Sequence, residues 1–280
     1  MTVSDALHDR LVFESGIPAK KITTILNSVD LEKFGSRPPL PAVPNRALVF
    51  NSQANEANIL GIIREACSEN GIVVNAIGYG SGNPAHYPER QLGNYDIIFA
   101  VGRAALEGLT IGAAVICCGL EGLGQMVTTQ NLEWLRRNNF GIRVLNLPVT
   151  VDFLSAEIKH YDPLDALKVS REIRATAGLN GMVDQILGVY ATTLNTWAKN
   201  HRQDSVAESL AFSVYLKEIS DKVDQARILQ NELGSIKKSL TWRLYQKVHR
   251  ISVVHNLYSM LITVIRHWYA RLKKTINKFF

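Results

Sequence analysis

The stretch VGRAALEGLTIGAAVI, residues 101–116, carries the side chains best placed to bind a ligand. It reads as the end of a strand, a turn, a short helix and the start of another strand. Arg103 stands at the helix start, where the helix dipole disfavours a cation, so a bound diphosphate would account for it. Glu107 lies one turn further on, in an otherwise apolar helix, and a carboxylate there could accept hydrogen bonds from the vicinal hydroxyls of a ribose. The alternatives are a solvent-exposed arginine and a surface glutamate.

The elements that would position these residues alternate between strand and helix over residues 46–150. The strand-like runs RALVF, IVVNAIG, YDIIFAV and AVICC are continuously apolar, and helical patterns separate them. Such runs are typical of parallel strands that are covered on both faces. The sequence therefore predicts an α/β fold, a doubly wound parallel Rossmann-like sheet, followed by a helical C-terminal extension.

Ligands of an open α/β sheet bind beyond the carboxyl ends of its strands. Glycine-rich turns follow three of the four predicted strands, and the N–H groups of such turns can approach an anion. The loop after the first strand, NSQANEAN, has no glycine. The candidate donors are Gly80, Gly102, Gly122 and Gly124.

The chain divides into five predicted regions. Residues 1–34 suggest a helix, a turn and a strand, and Ser4 is the expected N-cap of that helix. Residues 35–45 contain four prolines and form a stiff linker. Residues 46–200 form the α/β domain, and residues 205–237 form one long helix. Residues 239–280 are predicted to form basic amphipathic helices.

Charge is unevenly distributed along the chain. Residues 233–280 hold ten Lys and Arg and no Asp or Glu, whereas the whole chain has a net charge of +6, so the remainder is net −4. The three cysteines have no metal-ligand or disulfide spacing and are expected to be free thiols in a reducing compartment. We find no signal-peptide pattern and no membrane-spanning run, and expect a cytoplasmic protein.

Two patterns indicate partners. A three-four apolar spacing from Phe212 to Leu233 favours either a coiled-coil dimer or a helix packed back on the domain. The basic and aromatic faces of residues 239–280 favour contact with an anionic membrane surface, the alternative being a helical hairpin docked on protein. No nucleic-acid-binding motif is present. The histidines lack ligand spacing, so no metal cofactor is expected.

Three segments resemble retaining, two-domain (GT-B) bacterial glycosyltransferases of the type-4 kind. They are KITTILNSVDLEKF, similar to the interdomain segment, YDIIFAVGRAALEGLTIGAAVI, similar to the nucleotide-binding strand and helix, and GLGQMVTTQNLEWLRRNNFGIRVL. This resemblance covers roughly residues 3–150. The tail IKKSLTWRLYQKV is also similar to the tails of surface-polysaccharide glycosyltransferases.

The resemblance implies that Glu107 binds the ribose hydroxyls of a nucleoside diphosphate sugar and that Gly102 and Arg103 lie at its diphosphate. Two positions depart from the family pattern. Phe99 stands where the family has its first motif glutamate, and NSQANEAN lacks the usual Arg and Lys. In addition, residues 1–34 correspond only to the last helix and strand of the acceptor domain, which suggests a truncated enzyme, a split product that needs a partner, or a degenerate relative.

The leading hypothesis is thus a glycosyltransferase of cell-surface polysaccharide synthesis that needs no metal and acts at the inner face of the cytoplasmic membrane. Its substrates would be a nucleoside diphosphate sugar and a glycan or lipid-linked acceptor; no catalytic residue is assigned. The alternative is a non-catalytic, membrane-associated or partner-dependent scaffold built on a degenerate domain. A nucleotide-sugar epimerase is disfavoured because no paired acid and base is evident.

Overall fold

The computed structural model describes residues 1–199 and 205–242. The chain divides into two compact units, Met1–Asn200 and His201–Phe280. The N-terminal segment, the proline-rich linker and the predicted α/β domain all fall within the first unit. The basic amphipathic helices predicted for residues 239–280 lie, after residue 242, outside the described residues.

A five-stranded sheet forms the centre of the first unit, and its strand order is β2-β1-β3-β4-β5. Strands β1 to β4 pair in parallel. The predicted α/β class is therefore confirmed. The strands are β1 (Arg46–Phe50), β2 (Val73–Ile77), β3 (Ile97–Ala100), β4 (Ala114–Gly119) and β5 (Gly122–Met126).

Strand β5 runs antiparallel to β4, and the sequence did not predict it. A two-residue turn joins the strands, and Gly119 pairs with Gly122. The glycine-rich segment was expected to be a turn because glycine disfavours strands. Burial of Leu123 and Met126 against the sheet core outweighs that preference.

Helices cover both faces of the sheet, as parallel strands require. Alternate strand residues point to opposite faces, so that Leu48 lies in one hydrophobic core while Val49 lies in the other. Helices α3 and α6 contribute to the first core, and α2 and α5 contribute to the second. The helices are α1 (Asp5–Phe13), α2 (Ile59–Glu69), α3 (Gly102–Ile111), α4 (Leu132–Arg137), α5 (Val151–Ile158), α6 (Pro163–Thr176) and α7 (Leu179–Lys199).

The N-terminal segment packs along this α/β layer. Ser4 caps α1 as predicted, because its side chain accepts a hydrogen bond from the N–H of Leu7 at 3.2 Å. The predicted strand KITTILNS is reduced to isolated pairings, Thr2 with Thr24 and Val29 with Gly178.

The proline-rich linker is fixed to the sheet by a buried ion pair. Nη2 of Arg37 lies 2.9 Å from Oδ1 of Asp96, and the two side chains are only 11% and 8% exposed. The second oxygen of Asp96 accepts hydrogen bonds from the N–H groups of Asn45 and Arg46, at 2.9 and 3.1 Å. Arg37 also donates to the carbonyl of Tyr95. These contacts give Asp96 a structural role.

A second arginine attaches the residues before the linker. Nη1 of Arg174, on α6, donates to the carbonyls of Phe34 and Thr110, at 2.7 and 3.2 Å. Because Thr110 lies in the last turn of α3, one guanidinium joins α3, α6 and the N-terminal segment.

The described part of the second unit is the helix α8 (Ser205–Lys238). It corresponds to the predicted long helix, and its large apolar side chains are exposed. In residues 1–199 and 205–242, no helix has the length and apolar character needed to cross a bilayer.

Replacing Asp96 by Asn should lower the free energy of unfolding by about 3–5 kcal/mol, because it leaves the buried guanidinium of Arg37 without its counter-charge. Urea denaturation of both proteins measures the change. The matched control is Glu14→Gln, which removes the exposed Arg10–Glu14 ion pair and should cost less than about 1 kcal/mol. Equal effects of the two substitutions would contradict a stabilising role of the buried Arg37–Asp96 ion pair.

Candidate functional site

The turn between β3 and α3 begins with Gly102 in a left-handed conformation, at φ 60°. Added Cβ atoms would meet nothing closer than 3.8 Å, so the backbone angle, and not lack of space, favours glycine here. The N–H of Gly102 donates to the carbonyl of Phe140 at 3.2 Å. This amide is therefore already engaged, in contrast to its predicted role as a free anion donor.

The loop that accepts the hydrogen bond from Gly102 has uncommon backbone angles. Asn139 and Phe140 both have positive φ, 55° and 48°, a conformation disfavoured for residues with a Cβ. Two contacts hold it: Phe140 is buried in the core, and Asn27 donates its amide N–H to Oδ1 of Asn139 at 2.8 Å. Asn27 belongs to the segment resembling a glycosyltransferase linker, so the N-terminal segment supports the turn before α3 indirectly.

The first turn of α3 has no side-chain cap, since its N-cap residue is Val101. The N–H of Ala105 reaches the carbonyl of Val101 at 3.5 Å. The N–H groups of Arg103 and Ala104 have no hydrogen-bond acceptor in the described part of the chain. Unsatisfied N–H groups at a helix start point at an incoming ligand and favour an anion.

Arg103 and Glu107 contact each other across one turn of this helix. Nε of Arg103 lies 3.0 Å from Oε1 of Glu107. The arginine side chain is 71% exposed, whereas the glutamate side chain is only 10% exposed. The alternative of a surface glutamate is therefore excluded, and Arg103 is exposed to solvent, where a ligand can reach it.

Burial raises the pKa of Glu107 above its ordinary value of 4.5. The positive charge and hydrogen bond of Arg103 act in the opposite direction, and the negative charge of Glu89 adds to the rise. A carboxylate that is buried, and only partly compensated by an exposed cation, keeps acceptor capacity for hydroxyl donors.

Gly80 lies in the loop after β2, against the loop that follows β1. A Cβ at this position would lie 2.7 Å from the carbonyl carbon of Gln53, and the N–H donates to the carbonyl of Ser52 at 2.7 Å. Glycine is therefore required for the contact between two loops, and its amide is not free. Gly80 also lines an open groove of about 600 Å³ together with Glu56 and Arg64.

The other predicted glycines lie in the antiparallel strand. Gly122 and Gly124 belong to β5, and a Cβ on Gly124 would lie 2.7 Å from the carbonyl oxygen of Val144. In the sheet, β2 and β5 lie on opposite sides of β3, so Gly80 lies on one side of β3 and Gly122 and Gly124 lie on the other. Gly102, Arg103 and Glu107 share α3, whereas Gly122 and Gly124 share β5 and Gly80 lies in a loop.

The departures from the glycosyltransferase pattern have a structural explanation. Phe99 is fully buried in β3, within the core against α2 and α5, so a carboxylate at this position would be surrounded by apolar side chains. In the NSQANEAN loop, the side chains of Asn51 and Asn58 accept hydrogen bonds from the loop's own N–H groups, at 2.8 and 2.7 Å. Those side chains stabilise the loop conformation.

Sequence reasoning missed Asn27 and Asn139 as supports of the α3 turn. The Asn-Asn pair before Phe140 was the available signal, since asparagine tolerates positive φ better than most residues. The cysteines are buried, and burial raises the pKa of Cys67, Cys117 and Cys118 to about 12. They are therefore poor nucleophiles at neutral pH. Among the described residues, no group of three His, Cys, Asp or Glu could hold a metal ion.

No model of a known protein family matches this chain, and no curated protein matches it significantly. The resemblance to glycosyltransferases therefore remains a prediction from the sequence.

Replacing Glu107 by Gln should remove a pH-dependent destabilisation. Because the folded-state pKa is raised, the folded protein binds more protons than the unfolded chain just above pH 4.5, and wild-type stability falls as the pH rises through this window. Urea unfolding measured from pH 4.5 upward gives the free energy of unfolding of both proteins. The value for the variant minus that for the wild type should increase with pH and then become constant above the folded-state pKa of Glu107. A difference that does not change with pH would contradict the raised pKa.

Proposed function

We propose that this chain binds a nucleoside diphosphate sugar at the start of α3 and acts in glycosyl transfer to a glycan or lipid-linked acceptor. The observation that carries the proposal is the buried carboxylate of Glu107, one turn from an uncapped helix start with two unsatisfied N–H groups. One helical turn separates the two features by about 5.4 Å, a spacing compatible with the ribose and diphosphate of one nucleotide.

Each end of this site suits one part of the donor. The N–H groups of Arg103 and Ala104 would bind diphosphate oxygens, assisted by the positive end of the helix dipole. The carboxylate of Glu107 would accept hydrogen bonds from the ribose hydroxyls. Since Glu107 already contacts the guanidinium of Arg103 at 3.0 Å, the exposed arginine side chain would move towards the diphosphate when the ribose binds.

Transfer would break the bond between the sugar and the diphosphate and form a glycosidic bond to an acceptor hydroxyl, whose proton passes to the departing diphosphate. The negative charge that develops on the departing diphosphate is then stabilised by the α3 N–H groups and by Arg103. No general base is assigned to this chain. The reaction is proposed to occur at the cytoplasmic face of the membrane, because the basic C-terminal region favours an anionic surface.

Replacing Glu107 by Ala should weaken the binding of UDP or GDP by about tenfold or more, because two hydrogen bonds to a charged acceptor are lost. Isothermal titration calorimetry measures the affinity. The matched control is Glu65→Ala, which removes an exposed glutamate from α2 and should leave the affinity unchanged. The assignment of Glu107 is refuted if the Glu107→Ala protein binds as tightly as the wild type.

A second candidate is a non-catalytic scaffold that retains the fold but has lost donor binding. It is favoured by the engaged amides of Gly102 and Gly80 and by the ion pair that already occupies Glu107. The scaffold predicts no measurable binding of either nucleotide to the wild-type chain, whereas the glycosyltransferase predicts binding.

Both candidates place the protein at a membrane surface through residues 239–280. Deleting these residues should abolish co-sedimentation with vesicles containing phosphatidylglycerol, because they carry eight basic residues and no acidic ones. Vesicles of phosphatidylcholine alone are the control and should bind neither protein. Unchanged sedimentation of the deletion variant with the anionic vesicles would exclude the membrane contact.

A further inference from the structure

A polar cavity of about 360 Å³ lies within the first unit, between the N-terminal segment, the end of α4 and the junction of α6 and α7. Its volume is at the lower end of the range of small-ligand sites, about 300–1,000 Å³. Gly102, Arg103 and Glu107 do not line it, so it is distinct from the proposed donor site. The lining residues that matter for its chemistry are Asn27, Ser28, Arg136, Arg137, Thr176 and Gln185.

Arg136 brings an uncompensated positive charge to this cavity. Its guanidinium donates to the hydroxyl and the carbonyl of Thr176, at 2.5 and 2.9 Å, and its Nε is buried with no hydrogen-bond partner. Glu172 acts on it only at a distance, and no carboxylate of the described residues forms an ion pair with it. The guanidinium is only partly buried, so an anion in the cavity could approach it and would meet no competing carboxylate contact.

The neighbouring arginine is different because it already has its counter-ion. Nε and Nη2 of Arg137 bind the two carboxylate oxygens of Asp5, at 2.6 and 3.2 Å. The three charged residues of the lining are therefore two arginines and one aspartate. The net charge of +1 leaves room for one anionic group.

The neutral part of the lining suits hydroxyl groups. Asn27 uses its amide N–H for Asn139, but its carbonyl oxygen has no partner among the described residues, and neither has the side chain of Gln185. The hydroxyl of Ser28 donates to the sulfur of Met182 and keeps its lone pairs as acceptors. Amides and hydroxyls with unused hydrogen-bond donors and acceptors around one cation resemble the groups that bind a sugar carrying one anionic substituent.

We infer that this cavity binds a phosphorylated sugar, with the phosphate beside Arg136 and the sugar hydroxyls at Asn27, Ser28 and Gln185. Charge-assisted hydrogen bonds from Arg136 to the phosphate supply most of the affinity. The neutral side chains select a carbohydrate over a bare phosphate ion.

Calorimetric titration of the full chain with the 1- and 6-phosphates of glucose, mannose and N-acetylglucosamine tests this site. At least one should bind, and Arg136→Gln should weaken that binding by about tenfold or more. The matched control is Arg143→Gln, which removes the same charge from an exposed ion pair with Asp9, outside the cavity, and should have no effect.

Further variants separate binding from folding and from the donor site. Gln185→Ala changes an exposed side chain and should weaken binding about threefold, so it decides the matter if Arg136→Gln fails to fold. Glu107→Ala should leave sugar-phosphate binding intact, and Arg136→Gln should leave UDP binding intact. The site is refuted if no sugar phosphate binds the wild type, if inorganic phosphate binds equally well, or if Arg136→Gln and Arg143→Gln behave alike.

Discussion

The carboxylate of Asp96 binds three groups, the guanidinium of Arg37 and the N–H groups of the adjacent residues Asn45 and Arg46. Asp96 lies directly before β3, whereas the guanidinium belongs to the linker and the two N–H groups lie at the start of β1. Because β1 and β3 are neighbours in the sheet, this one side chain sets the point at which the linker enters the fold. The opposite ends of those strands carry the loops that surround α3, so the position of the candidate site depends on the pairing fixed here.

The candidate site itself is made by one turn and the loop that supports it. Gly102 starts α3 in a left-handed conformation, and its N–H donates to the carbonyl of Phe140. Phe140 lies in a loop in which two residues have positive φ. A side chain from the N-terminal segment, Asn27, holds that loop. The orientation of the α3 N–H groups therefore depends on the start of α3, the loop at Phe140 and the N-terminal segment. A substitution in any of these three segments would alter the geometry of the site.

The sequence was sufficient to predict the elements whose patterns are local. The continuously apolar runs predicted β1 to β4. The position of Glu107 in an otherwise apolar helix indicated that its carboxylate is not an ordinary surface group, and the structure places it in a buried position. Strand β5 could not be predicted, because its glycines oppose a strand and only burial of Leu123 and Met126 decides the outcome. The contacts of Arg37 with Asp96 and of Asn27 with Asn139 depend on long-range packing, for which a single sequence carries no pattern.

The N-terminal segment also has a consequence for the order of folding. It is held by partners far along the chain: Asn27 by Asn139, the N–H of Val29 by the carbonyl of Ala177, and Phe34 by Arg174. Contacts of such long sequence separation close late, after the loop between them has been ordered. During synthesis, residues 1–45 leave the ribosome before any of these partners exist. The contacts of Val29 with Ala177 and of Phe34 with Arg174 cannot form until α6 has been made, which leaves these two core residues exposed to water until then.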